Sequence, residues 1–247
     1  PTPTTQPPLG GTRPGPTATH ILFFNKTLGG WALPRVTPAA PTHFRISADS
    51  GGIMAGRDTL DRFGRYCELL DSLTGVKPVI SDVEPRVVED GPVRAISYIG
   101  TPEPGYVTGF TYGLSLYGHP DWGPTGRELC ITVRSGDVEW SQVPARVVAA
   151  LRGICPFTPG QVLGYKEPYV GGSSMNSIVL AKPALELGSG PLDLGSVEGG
   201  AKVPDLVEIV GAYPIHSSER EFAYSHGFDA LWSLEWDRFD PARGPVA

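Results

Sequence analysis

The chain has 247 residues, a formal net charge of −6 and 40% hydrophobic residues, enough for one large domain or two small ones with a sizeable core. An acidic balance with no Lys/Arg cluster excludes nucleic-acid binding through phosphates, and no run of about 18 apolar residues marks a membrane span. The 32 glycines and 26 prolines favour turns and short elements over a helical bundle. In chain order, residues 1–16 are Pro/Thr/Gly-rich and lack the basic-then-apolar order of a signal peptide. The absent initiator Met suggests a chain that is processed, trimmed or cut from a longer protein. Residues 20–24 (HILFF) form an apolar burst, and Asn25-Lys26-Thr27 is a chance glycosylation sequon in a chain without a secretion signal. The segment ADSGG at 48–52 has the form of a trypsin-like nucleophile segment. Too little chain precedes it for a barrel carrying His and Asp, so it is read as a glycine turn before a helix.

Residues 58–74 carry Leu60, Phe63, Cys67, Leu70 and Leu73 at three- and four-residue spacing, which predicts an amphipathic helix capped by Asp58 and ended by Gly75. Residues 93–99 read as a strand. Residues 107–116 and 128–134 read as two strands around a loop, GHPDWGPTG. In the second, Leu129, Ile131 and Val133 share one face and Cys130, Thr132 and Arg134 the other, so one buried face is expected. A second helix is predicted over 140–154, with Ser141 as N-cap, Pro144 in the first turn and a stripe of Val147, Leu151 and Ile154. Short strands follow at 161–165 and 177–180, then a Gly-rich connection at 183–203 whose length points to a functional or mobile segment. Residues 206–213 form a strand. Ser218 and Glu221 have capping-box form and open a helix to Ser225, with a further helical segment at 229–234. The whole reads as an α/β (α+β) fold with a mixed, mainly antiparallel sheet flanked by helices. Residues 1–43 are an extension, 44–240 a single domain and 241–247 a tail.

Chemistry-bearing clusters are sparse. Cys67, Cys130 and Cys155 have no paired spacing and read as reduced thiols, which suits a cytoplasmic protein. The histidines form no HxH or HExxH, and neither GxSxG nor GxGxxG occurs. His119 and Asp121 are the one His/carboxylate pair on a loop, and a hydrolase or metal enzyme using them is the least favoured reading. His216 and His226, near the ends of the last helix, read as capping or surface residues. The composition gives no cofactor and no metal.

Three segments, FTYGLSLYG (110–118), GRELCITVRS (126–135) and DLVEIVGAYPIHSSE (205–219), followed by a helix broken at Gly227, make the chain resemble the suppressor of fused family. Order and spacing agree over residues 60–238. The resemblance implies an α/β binding domain without catalytic activity. Animal members hold zinc-finger transcription factors by clamping an extended peptide as an added strand, with a second domain closing over it. This chain looks like the first domain, with its own HPDWGPTG loop. Short bacterial relatives are inferred to be immunity proteins that neutralise toxins, and an acidic single domain suits a basic toxin as protein partner. Carried onto this chain, the family's peptide contacts fall at Tyr112, Tyr117 and His119, with Asp121 near a displaced acidic position. Trp122 joins them as an anchoring residue type. Tyr112 and Trp122 are equally compatible with core positions. The alternative function is a structural or accessory module of a larger or secreted assembly.

Overall fold

The computed structural model describes residues 36–37, 52–87, 91–198 and 201–247. The segments 1–16 and 20–24, the sequon at 25–27, ADSGG up to Gly51, and His20 and His43 lie outside the described residues. Among the described residues, eleven strands and four helices follow in order: β1 (Val36–Thr37), α1 (Gly52–Thr74), β2 (Val79–Val83), β3 (Val93–Ile99), β4 (Tyr106–Tyr112), β5 (Gly126–Arg134), α2 (Glu139–Leu151), β6 (Val162–Gly164), β7 (Ser177–Ala181), β8 (Leu192–Asp193), β9 (Ser196–Glu198), β10 (Ala201–Val203), β11 (Leu206–Ile215), α3 (Ser217–His226) and α4 (Phe228–Trp232). The main sheet runs β1-β2-β3-β4-β5-β11-β7-β6, with β8 also paired to β11. Every pair is antiparallel except β5–β11, which is parallel. The fold class is therefore α+β, with a mixed and mostly antiparallel sheet, as expected.

Helices cover both faces. On one, α2 sets Trp140, Val143 and Val147 against Leu129, Ile131, Val133 and Val210. On the other, α1 sets Tyr66 and Leu70 against Ile96, Tyr98, Phe110 and Cys130. Farther along that second face, α3 and α4 cover Val179, Tyr213 and Ile215 with Ala223 and Leu231. The expected single buried face of β5 is thus corrected. Residues 128–133 are all buried, because a central strand between two helical layers has no solvent side.

Local details also depart from expectation. Helix α1 starts at Gly52, so Asp58 lies inside it, and among residues 61–74 the buried ones are Tyr66 and Leu70 while Leu73 is largely exposed. Gly75 does end it, at φ 72° with its N–H on the Asp71 carbonyl. Helix α2 starts at Glu139, which puts Ser141 and Pro144 inside the helix, and Ile154 is exposed beyond its end. Ser141 is still used: its hydroxyl bonds the Val138 carbonyl (2.6 Å) and Ser97 Oγ (2.7 Å). The helix sits this close because of Gly109, where an added Cβ would lie 1.9 Å from the Ser141 carbonyl oxygen. The capping box of α3 is shifted by two residues. His216 is the N-cap, and Glu219 accepts its N–H at 2.8 Å.

The last residues, read from composition as a tail, are tied in. Arg243 forms a double hydrogen bond to the fully buried Glu219, which also accepts the Val246 N–H (2.9 Å). His216 Nε2 lies 2.9 Å from the Arg243 carbonyl. Arg238 stacks on Trp232 and Trp236, and Arg243 on Trp236. No helix among the described residues is long and apolar enough to cross a membrane.

Candidate partner-binding loop

The chain leaves β4 at Tyr112, passes through residues 113–125 and returns as β5. Its base is organised by Glu128, which the alternation of β5 turns inward to full burial. Its carboxylate accepts hydrogen bonds from Thr111 Oγ1 (2.6 Å), Gly113 N–H (2.9 Å), Ser115 N–H (3.0 Å) and Ser115 Oγ (2.7 Å). The first turn of the loop is therefore wrapped around one buried charge, which is stable only because its lone pairs are filled. Gly113 makes the wrap possible, at φ 132°. Beside the carboxylate, Tyr66 is buried with its hydroxyl lacking a hydrogen-bond partner among the described residues, and burial followed by the Glu128 charge holds it in the neutral form.

Three arginines brace the loop. Arg62 on α1 donates to Ser115 Oγ (3.0 Å) and doubly to Asp205 (2.6 and 3.0 Å). Arg152, just past α2, donates to the carbonyls of Gly113 (3.1 Å) and Gly91 (2.7 Å) and lies 4.4 Å from the centre of the Tyr117 ring. Arg127 pairs with Glu208 (3.1 Å), donates to the Pro156 carbonyl (2.9 Å) and stands over Trp122.

The expected contact residues separate accordingly. Tyr112 is 3% exposed, with its ring against Phe63 and Tyr66 under α1, so it offers no surface to a partner unless that helix moves. Trp122 is half-buried. Its Nε1 donates to the Pro156 carbonyl (2.7 Å) and its ring packs on the α2-side core. Tyr117 is half-buried on Arg152, and His119 faces Trp122 with ring centres 5.9 Å apart. His119 Nδ1 accepts the Asp121 N–H (3.1 Å), while the Asp121 carboxylate is 63% exposed and 3.9 Å from that nitrogen. Tyr117, His119 and Trp122 line a shallow hollow of about 220 Å³. The loop thus brings together four of the five expected residues and leaves Tyr112 beneath it.

Sequence reasoning missed Glu128, Arg62, Arg127 and Arg152, which build the loop. The available signal was a carboxylate opening a run of strand formers, on the face of β5 taken to be exposed. Among the described residues no three His, Cys, Asp or Glu side chains gather as a metal would require. Burial pushes the thiols of Cys67 and Cys155 up to about 11 and that of Cys130 to about 12, so none is poised as a nucleophile.

An α+β domain with an arginine-braced surface loop between its central strands is the class that fold and site define. The family model "Suppressor of fused protein (SUFU)" matches residues 89–244, more than half of the sequence. The chain belongs to the suppressor of fused family. No curated protein matches it. Among solved structures it is similar to the crystal structure of Drosophila Suppressor of Fused, at 9% identity and a TM-score of 0.51 over 73% of this chain. This chain spans 50% of the length of that one. It is also similar to a chain in the crystal structure of the Sufu-Fu complex, at 10% identity and a TM-score of 0.49, over 73% of this chain and 90% of that one.

Proposed function

We propose that this is a non-enzymatic protein-binding domain that holds its partner through Tyr117, His119, Asp121 and Trp122, and that it acts in the bacterial cytoplasm as an immunity protein neutralising a toxin by direct contact. The observation that carries the reading is the bracing of the loop. Trp122 and Tyr117 are fixed from below by Pro156, Arg127 and Arg152, while Pro120, Asp121, Gly123 and Pro124 stand exposed. A surface already held in place loses little conformational freedom on binding, so its contacts go into affinity. Membership of the family supports the protein-binding part. The net charge of −6 supports a basic partner, whose association it would speed. Three unbridged thiols suit a reducing compartment.

The test is capture of a partner by the purified protein, followed by titration calorimetry with the toxin encoded beside its gene. Tyr117→Ala and His119→Ala are each expected to weaken binding about tenfold or more with unchanged melting temperature. A protein that binds and neutralises no neighbouring toxin removes the immunity reading. Partner binding unaffected by both substitutions removes the loop.

A further inference from the structure

The loop between β4 and β5, residues 113–125, holds a single acid and a single histidine, Asp121 and His119, and no lysine or arginine. The two are locked together in one arrangement. His119 Nδ1 accepts the Asp121 N–H (3.1 Å), and the His119 carbonyl accepts the Trp122 N–H (2.9 Å). The turn over residues 119–122 is therefore closed twice, once through the ring and once through the backbone. An N–H aimed at Nδ1 needs the lone pair there, so the ring that closes this turn is neutral and carries its hydrogen on Nε2. It is the imidazole counterpart of an Asx turn, in which a side-chain acceptor takes the N–H two residues on.

The His119 side chain is only 14% exposed and faces the Trp122 ring. The hollow around it is lined from residue 115 to residue 126, and Tyr117 and His119 are the titratable residues among them. The neighbouring elements bring charges that are already engaged. Arg127 of β5 stands over Trp122 and pairs with Glu208 of β11. Arg152, past α2, lies on Tyr117 and donates to the Gly113 and Gly91 carbonyls. Glu128, under the base of the loop, accepts from Thr111, Gly113 and Ser115. That leaves the Asp121 carboxylate. It lies 3.9 Å from Nδ1, is 63% exposed, and accepts no hydrogen bond from a described residue.

Protonation reverses the local chemistry. Nδ1 becomes a donor facing the Asp121 N–H, another donor, so that bond is lost. The nearest acceptor is the Asp121 carboxylate, which can turn onto the imidazolium and make a charge-assisted bond.

We propose that His119 and Asp121 form a pH switch built into the partner-binding loop. At neutral pH the ring holds the turn and Asp121 presents its carboxylate to solvent, where a basic partner meets it. On acidification the imidazolium takes that carboxylate, the loop's single negative charge is offset, and the partner is held more weakly. Trp122 does not follow, because its Nε1 donates to the Pro156 carbonyl, which does not titrate. The weakened binding rests on the basic-partner reading above; the switch itself rests on the geometry of the loop.

The switch is read in the full-length protein alone, labelled with ¹⁵N and ¹³C and taken from about pH 8 to about pH 5.5, within the range where histidine changes charge. The Asp121 amide and its side-chain carboxyl carbon are expected to shift along one curve with the His119 ring carbons, while the Trp122 Nε1–H resonance stays in place. His119→Asn keeps an acceptor for the Asp121 N–H but takes up no proton in this range, so both Asp121 shifts should vanish. An Asp121 amide that ignores the His119 ring, or that titrates equally in His119→Asn, overturns the switch. The consequence is read by calorimetry with the purified toxin encoded beside the gene. Between about pH 7.5 and about pH 5.5 the wild-type Kd should rise about tenfold, through one linked proton. In His119→Asn the ratio of the two constants should stay within about twofold, whatever the affinity at the higher pH. A wild-type ratio no larger than that of His119→Asn overturns the release. A toxin that binds at neither pH removes the partner reading instead, and the resonance curves still decide the switch.

Discussion

Glu128 shows how much one side chain can organise. Its carboxylate accepts two hydroxyl and two backbone hydrogen bonds within 3.0 Å, so the path of residues 111–115 follows from where one charge is buried. Glu128→Gln keeps the size but presents an NH₂ to donors that need an acceptor. A loss of about 3 kcal/mol is expected, read as a lower urea midpoint with an unchanged m-value. Trp122→Ala removes both the bond to Pro156 and the contact with the α2-side core, so it should lower stability by about 2–3 kcal/mol as well as weaken partner binding. Tyr117→Ala should move binding alone. The site was partly legible in the sequence at this scale. Aromatic residues between glycines and prolines marked the loop. The acid beneath it was not legible, because a period-two pattern separates two faces without saying whether a second helix covers the other one.

At the scale of elements, helix α2 and strand β4 meet through the absence of a side chain. Gly109 admits the Ser141 carbonyl, and an added Cβ would overlap backbone rather than a flexible side-chain end. Gly109→Ala should therefore cost more than about 3 kcal/mol or prevent folding. Circular dichroism and thermal melting would check this, and a variant of near-native stability would show that α2 can shift. Strands β3, β4 and β11 and the α1 terminus at Gly75 were legible because periodicity and a glycine punctuator coincide there. The start of α2 was not. Ser141 has cap chemistry, but its hydroxyl is satisfied by the buried Ser97 and by the preceding turn, a tertiary use that local sequence does not announce.

Across the whole molecule, the C-terminal residues act as a clasp on α3. Burial alone would push the Glu219 carboxyl up, but the hydrogen bonds from Arg243 and from the N–H groups of His216 and Val246 outweigh it and hold its pKa below the ordinary 4.5. A lowered folded-state value means that the contribution is complete above the ordinary carboxylate range and is lost as pH falls through the lowered value. The urea midpoint should therefore hold from neutral pH to about 5 and fall below it. In Arg243→Met the buried carboxylate loses its cation, and about 3–5 kcal/mol should be lost at pH 7. That deficit should shrink on acidification as Glu219 takes up a proton. The parallel seam between β5 and β11 has a consequence of another kind, in the order of events. Arg127 and Glu208 across that seam are 81 residues apart in the chain. As the polypeptide emerges from a ribosome, β5 is complete long before its neighbour exists, and an apolar strand stays uncovered along one side for several seconds at ordinary synthesis rates. Chains stalled before residue 206 are expected to be sticky and to recruit holding chaperones, whereas chains stalled once β11, α3 and α4 have left the ribosome should be released. Profiling arrested nascent chains for chaperone association would show the step at β11.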